Sequence, residues 1–278
     1  DLGRFTTTRQ FYDDERDPFG RTPAILTYDR ETNRILTQDS RVWIAGMSDE
    51  GGAGAWVAAM MKQLDNPVPE EVAKLERIVN ETIVGRLQIA VGQHIGGVRK
   101  SLFYYDPEEH PGYYDPTLDW KSWSAWSKKE AYGLGRSYNY PHVAAAHWVL
   151  YRLARNYLGL VRMREWRWYL ERAYLTATAM MRDAPHYAQF GQMEGEVFLE
   201  ILQDLQREGM TKEANTLEAL MKRRTEHWRS LPYPFGSEMA WDSTGQPEVY
   251  AWLRYFGYEK EAGSTREVIL GYDPTLPH

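Results

Sequence analysis

Arg136-Ser137-Tyr138-Asn139-Tyr140-Pro141-His142 leads into Val143, Ala144, Ala145, Ala146, Trp148, Val149, Leu150 and Leu153. So dense an apolar set reads as a buried helix, predicted over His142 to Leu158. Asn139, two residues before a proline, reads as the start of that helix. Pro141 suits a first turn, where its missing N–H costs nothing. Ahead of it lies an irregular segment crowded with aromatics, Phe103 to Tyr132, which reads as a cleft wall. Polar and aromatic groups therefore gather at the mouth of a buried helix, where helical proteins build clefts.

Outward from this stretch, helices recur. Ser48-Asp49-Glu50-Gly51-Gly52-Ala53-Gly54-Ala55-Trp56 reads as Ser48 capping a short helix, Ala53 to Leu64, with the acids at its positive end. Its three glycines suit either close packing or a backbone approached by a ligand. Pro69-Glu70-Glu71 starts a second helix, in which Val72, Leu75, Ile78, Val79, Thr82, Ile83, Arg86 and Leu87 fall at spacings of three and four. Further helices are expected over Arg164 to Arg182, Met193 to Glu208 with Gly209 as cap, Thr211 to Arg229, Glu248 to Phe256 and Ser264 to Leu270. Short and long connections alternate, so the helices pair into antiparallel hairpins whose long loops share one end. Residues 1 to 46 are not helical in pattern. Arg4 to Tyr12 is β-prone, and Ala24 to Tyr28 faces Arg34 to Thr37 as a hairpin or extended linker.

Composition narrows the function. The chain of 278 residues is 43% hydrophobic, enough for one large domain or two modest ones. Eleven Trp and nineteen Tyr offer flat faces with a polar tip, suited to sugars, although an aromatic helical core is the plainer reading. A net charge of −6 without a Lys/Arg block argues against nucleic acid. No apolar run approaches the roughly 18 residues of a membrane span. Cysteine is absent, which removes thiolate and disulfide chemistry. His142 and His147 project about 140° apart on a helix, and no HExxH, EF-hand, P-loop or nucleophile elbow occurs. No metal and no cofactor is expected. Running from Asp1 to His278, the chain reads as an excised or processed piece of a longer parent protein, another segment of which is an expected partner. A secreted or periplasmic location fits that reading.

Three acid-rich loops precede helices: Asp49 and Glu50; Glu194 and Glu196; Glu238, Asp242 and Glu248. Should the hairpins form a ring, these loops meet at one rim. Two carboxylates across a sugar are what glycoside hydrolysis needs, and capping is the ordinary alternative for each acid. Asp49 or Glu50 with Glu194, Glu196 or Glu238 would be the acid–base pair. Trp56, Trp126, Tyr138, Tyr140 and Trp241 would line sugar subsites, with Asp242 and Glu248 beside them. Arg136, Tyr138, Asn139, Tyr140 and His142 admit a second chemistry. In uronate elimination, Asn or Arg steadies the carboxylate while His or Tyr removes the C5 proton.

The strings Trp43 to Gly54, Arg136 to Ala145 and Phe235 to Gly245 are similar to those of a bacterial and fungal family of large secreted proteins of unknown function. That resemblance spans nearly the whole chain. It implies an (α/α)6 toroid, of which this chain shows about eight of twelve helices, and a missing β-rich domain before it. Toroids in this order resemble glycoside hydrolases more than polysaccharide lyases. The expectation is therefore a mainly α protein: a short extended or β segment over 1–46, then an α/α toroid, or part of one built from helical hairpins, over 47–278. Its expected ligand is an oligo- or polysaccharide and its expected activity a glycoside hydrolase, with a polysaccharide lyase and a non-catalytic glycan-binding fragment as the alternatives.

Overall fold

The computed structural model describes residues 2–239 and 243–272, with the side chain of Glu50 left out. Trp241 and Asp242 thus lie outside the described residues. In order come α1 (Leu2–Thr8), β1 (Phe11–Tyr12), β2 (Ala24–Ile25), β3 (Tyr28–Asp29), β4 (Arg34–Ile35), α2 (Asp49–Asp65) and α3 (Pro69–Arg77). A π-helical turn, Ile78–Ile83, continues α3. Then follow α4 (Lys128–Ala131), α5 (Asn139–Asn156), α6 (Trp166–Asp183), α7 (Pro185–Ala188), α8 (Val197–Arg207), α9 (Thr211–Ser230), α10 (Gln246–Tyr255) and α11 (Glu259–Tyr272).

The helices pair as hairpins, α2 with α3, α5 with α6, α8 with α9 and α10 with α11. The first helix of each lies against the next: α2 on α5, α5 on α8, α8 on α10. This is part of an α/α toroid. Hairpin parity gives the four first helices one direction, so their N-termini and the long loops before them share one rim. The core between the layers is continuous and aromatic, with Trp56, Trp228, Trp252, Tyr140 and Tyr169 fully buried.

Three local expectations give way to packing. The Thr-rich start of the chain is helix α1, not strand. Thr6, Thr7 and Thr8 donate to the carbonyls of Gly3, Gly3 and Arg4, and the helix packs on α2 and α3, which outweighs β propensity. The predicted hairpin is confined to Tyr28–Asp29 against Arg34–Ile35, while Ala24–Ile25 pairs instead with Phe11–Tyr12. The segment 103–132 is mostly a second small core rather than a cleft wall. Phe103 and Tyr104 pack with Phe19, Val42, Ala45 and Ala131, and Tyr113, Tyr114, Trp120 and Tyr132 close over them. Arg21 anchors this cluster: it is fully buried, paired with Asp17 at 2.6 Å and donating to the Thr37 and Ala45 carbonyls at 2.7 Å.

In the main core, His147 meets Gln88, whose amide donates to the Thr176 hydroxyl at 2.6 Å. Full burial pushes the His147 pKa from its ordinary 6.5 down to about 3, with Arg172 adding to the shift. A base whose folded pKa is depressed contributes stability present above its unfolded pKa and lost as pH falls. Urea titrations should therefore show stability declining from pH 6.5 towards pH 3, this group adding up to about 1.4 kcal/mol per pH unit. In His147→Gln that increment should be missing from the slope, and an unchanged slope would refute the assignment.

Candidate functional site

The start of α5 assembles the site. Tyr138 immediately precedes the helix and His142 lies in its first turn; four residues apart, they share one helix face. The Tyr138 hydroxyl donates to Glu238 Oε2 at 2.5 Å. His142 Nδ1 lies 2.8 Å from Glu194 Oε2. A carboxylate oxygen accepts, so Nδ1 carries the hydrogen of this contact, and in its neutral form such a ring presents a lone pair at Nε2. That Nε2 is buried and has no hydrogen-bond partner among the described residues. Arg136 lies over the Tyr138 ring, 5.3 Å from its centroid, and pairs with Asp49. Tyr187 packs against Tyr138 at a tilt, with centroids 5.8 Å apart.

Contacts thus link three distant acid loops: Asp49 through Arg136, Glu194 through His142 and Glu238 through Tyr138. Asp49 and Glu194 both hold a φ of 59°, an uncommon conformation for side-chain-bearing residues that tends to occur at functional sites. Ser48 precedes α2 in extended conformation, but its hydroxyl donates to the Arg99 carbonyl at 3.0 Å instead of capping the helix. Gly52 is small because the Trp43 carbonyl packs against it, so packing claims that glycine.

The acids divide by burial. Asp49 is buried against Arg136, which argues against a role as a free acid or base. Glu194 is 40% exposed along its side chain, and Glu238 and Glu196 are exposed. Glu196 nonetheless has a raised pKa, because protein crowds its carboxyl and because Glu248 and Glu194 add negative charge nearby.

Four residues expected to meet substrate are structural. Trp56 is fully buried, its indole donating to the Met47 carbonyl at 3.1 Å. Tyr140 is fully buried and donates to the Leu134 carbonyl at 2.8 Å. Asn139 is buried, with its amide on the Arg99 carbonyl. Glu248 has no exposed surface; it pairs with Arg224 and accepts from the Gln192 N–H at 2.7 Å. Gly195 has no side chain because Glu248 fills the space its Cβ would take. Trp126 is half-buried, packed on the small second core and 4.9 Å from the Trp43 ring. Sequence reasoning passed over Tyr187, which has no signature in its short helix, and Trp43, which stood in plain view before the acid loop.

The described residues contain no group of three or more His, Asp or Glu side chains able to hold a metal. Among the described residues, no helix is long and apolar enough to cross a membrane.

The chain belongs to a family of unknown function, DUF5695, which matches residues 1–278. A comparison with curated proteins finds no match. Among solved structures, a polysaccharide lyase is similar at 17% identity and a TM-score of 0.63. The likeness covers 96% of this chain and 34% of that one, so this chain spans about a third of the lyase's length. At that identity it shows the shared fold.

Two measurements probe this rim. Glu248→Ala should lower unfolding stability by about 3–5 kcal/mol, since it strands a buried guanidinium; a change below about 1 kcal/mol would show the pair to be dispensable. For Glu196, a raised folded pKa means stability that is fully present below the ordinary 4.5 and lost as pH rises through the folded value. Glu196→Gln should therefore raise the melting temperature at pH 7 and lose that advantage below pH 4.5. An advantage that persists in acid would contradict the charge explanation.

Proposed function

We propose that this rim is the site of a polysaccharide lyase, one that cleaves a uronate-containing chain by β-elimination. The observation that carries the reading is His142. Its Nδ1 is held by Glu194, and its Nε2 is dry and unpartnered among the described residues, one helical turn from a tyrosine hydroxyl. Elimination needs three things: charge that steadies the uronate carboxylate, a base for the C5 proton, and an acid for the departing O4.

Arg136 is partly exposed and supplies the positive charge beside Tyr138. His142 Nε2 is buried in the free chain, so on this reading the rim opens as substrate binds; Nε2 then takes the C5 proton, and Glu194 steadies the imidazolium that forms. The C4–O4 bond breaks as the C4–C5 double bond forms, and the Tyr138 hydroxyl gives its proton to O4. Glu238 orients that hydroxyl. The proton held by His142 then returns to Tyr138 through solvent, so no water is consumed overall. The fold shared with a polysaccharide lyase supports the same reading.

Glycoside hydrolysis remains as the second reading because of one feature, the raised pKa of Glu196, which suits a general acid. Its partner would be Glu194 or Glu238. The hydrolase reading is the weaker, since Asp49 is buried in its contact with Arg136 and Tyr138 and His142 stand at the start of α5 between the acid loops.

The two separate cleanly. Incubated with polygalacturonate, alginate or hyaluronan, the lyase produces an unsaturated uronate absorbing near about 235 nm, and Tyr138→Phe and His142→Ala each lower its rate by roughly 10²–10⁴-fold. New reducing ends without that absorbance, lost in Glu196→Gln and kept in His142→Ala, would replace elimination by hydrolysis.

A further inference from the structure

A second group of aromatic side chains stands beside the site: Trp126 packs one side on the small second core, and the mechanism uses none of the group. Trp43 lies between two other indoles, 4.9 Å from Trp126 and 5.7 Å from Trp123, with interplanar angles of 38° and 32°. Trp123 is 81% exposed. Held beside two further indoles, that exposed ring extends a flat aromatic surface to which a sugar face can stack. The platform is rigid. The Val42 N–H donates to the Ser124 carbonyl at 3.2 Å, the Ser124 hydroxyl donates to the Ser40 carbonyl at 3.0 Å, and the Tyr105 N–H donates to the Trp126 carbonyl at 2.9 Å. These bonds fix the segment bearing Trp123 and Trp126 against the segment bearing Trp43.

Lys100 gives the platform its sign. Its ammonium lies 5.2 Å from the centroid of the Trp126 ring, and among the described residues no carboxylate pairs with it. A cation held over an indole face keeps its charge available to an anionic group laid across the same surface. The platform also adjoins the site. The Trp43 indole lies 3.6 Å from where a Cβ on Gly51 would be, in the first turn of α2, which begins with Asp49, the partner of Arg136.

We infer that Trp43, Trp123 and Trp126, together with Lys100, form a stacking subsite for an acidic sugar unit of a polysaccharide, away from the bond that is cleaved. The face of a pyranose ring covers an indole while its carboxylate or sulfate meets the ammonium. The identity of the polymer rests on the lyase reading, whereas the subsite rests on its own geometry.

The test is calorimetric titration of the full chain with hexasaccharides of polygalacturonate, alginate and hyaluronan, and with cellohexaose as the neutral control. At least one acidic oligosaccharide should bind more tightly than cellohexaose. Trp123→Ala should weaken that binding roughly tenfold, and Lys100→Gln should flatten its salt dependence and bring it towards the neutral control. Trp123 is so exposed that its loss leaves folding intact. Binding unchanged in both Trp123→Ala and Trp126→Ala would overturn the subsite, and so would equal affinity for cellohexaose or no binding of any acidic oligosaccharide. Tyr138→Phe separates the two proposals, since its tryptophan-dependent binding should persist while unsaturated product forms at least about a hundredfold more slowly. Tryptophan-dependent binding without product in the wild type would remove the lyase and support the subsite; product with unaltered binding in both tryptophan variants would do the reverse.

Discussion

The rim is held in place by one buried ion pair, Glu248 with Arg224. Neither charge could remain in so dense an interior alone, and the surroundings answer each of them. Arg224 donates also to the carbonyls of Ala188 and Phe190 at 2.8 Å, while Glu248 takes the Gln192 N–H. The loop from 188 to 196 is therefore fastened to α9 and α10 at several points, and moving it would leave two charges unmatched. The Gly191 N–H reaches the Gly236 carbonyl at 2.8 Å, which carries the constraint into the loop that brings Glu238 to Tyr138. Glu194, Glu196 and Glu238 owe their positions to a carboxylate that never meets solvent.

Hairpin parity explains why acids collect at this end at all. Four helices present their N-termini to one rim, and their peptide dipoles make it electropositive within the first turn. Carboxylates are stable there, and so would be an anionic substrate. The fold then sorts its acids by depth. Those buried in the packing, Asp49 and Glu248, are each matched with an arginine. Those reaching water, Glu194, Glu196 and Glu238, are left to orient His142 and Tyr138 or to titrate.

The helical hairpins were legible because they rest on spacing. Apolar residues at three- and four-residue intervals and breakers such as Pro67 and Gly209 locate α2, α3, α8 and α9 to within a few residues. Convergence was legible as a possibility of that alternation, and the contacts of Asp49, Glu194 and Glu238 realise it. Depth was not legible. Trp56 and Tyr140 have the residue types of a sugar platform and the surroundings of a core, and nothing in a single sequence distinguishes the two. Glu248 misled for the same reason, since its partner Arg224 lies 24 residues earlier on another helix. By contrast, the capping box of Ser127 and Glu130 that starts α4 was written in the spacing and was obscured only by the aromatics around it.

Two of the four side-chain-bearing residues with positive φ among the described residues stand at the rim. Asp49 and Glu194 occupy left-handed backbone where an unstrained sequence would place glycine. His142 keeps one nitrogen buried without a partner among the described residues, as do His147 in the main core and several other buried side chains, so what sets His142 apart is its place beside Tyr138 and Glu194. A dry lone pair at the start of a helix becomes intelligible when a proton arrives from elsewhere. On the proposed lyase reading, strain in Glu194 would hold Nε2 in place before that proton comes. The same features in a purely structural loop would be removable at a gain in stability.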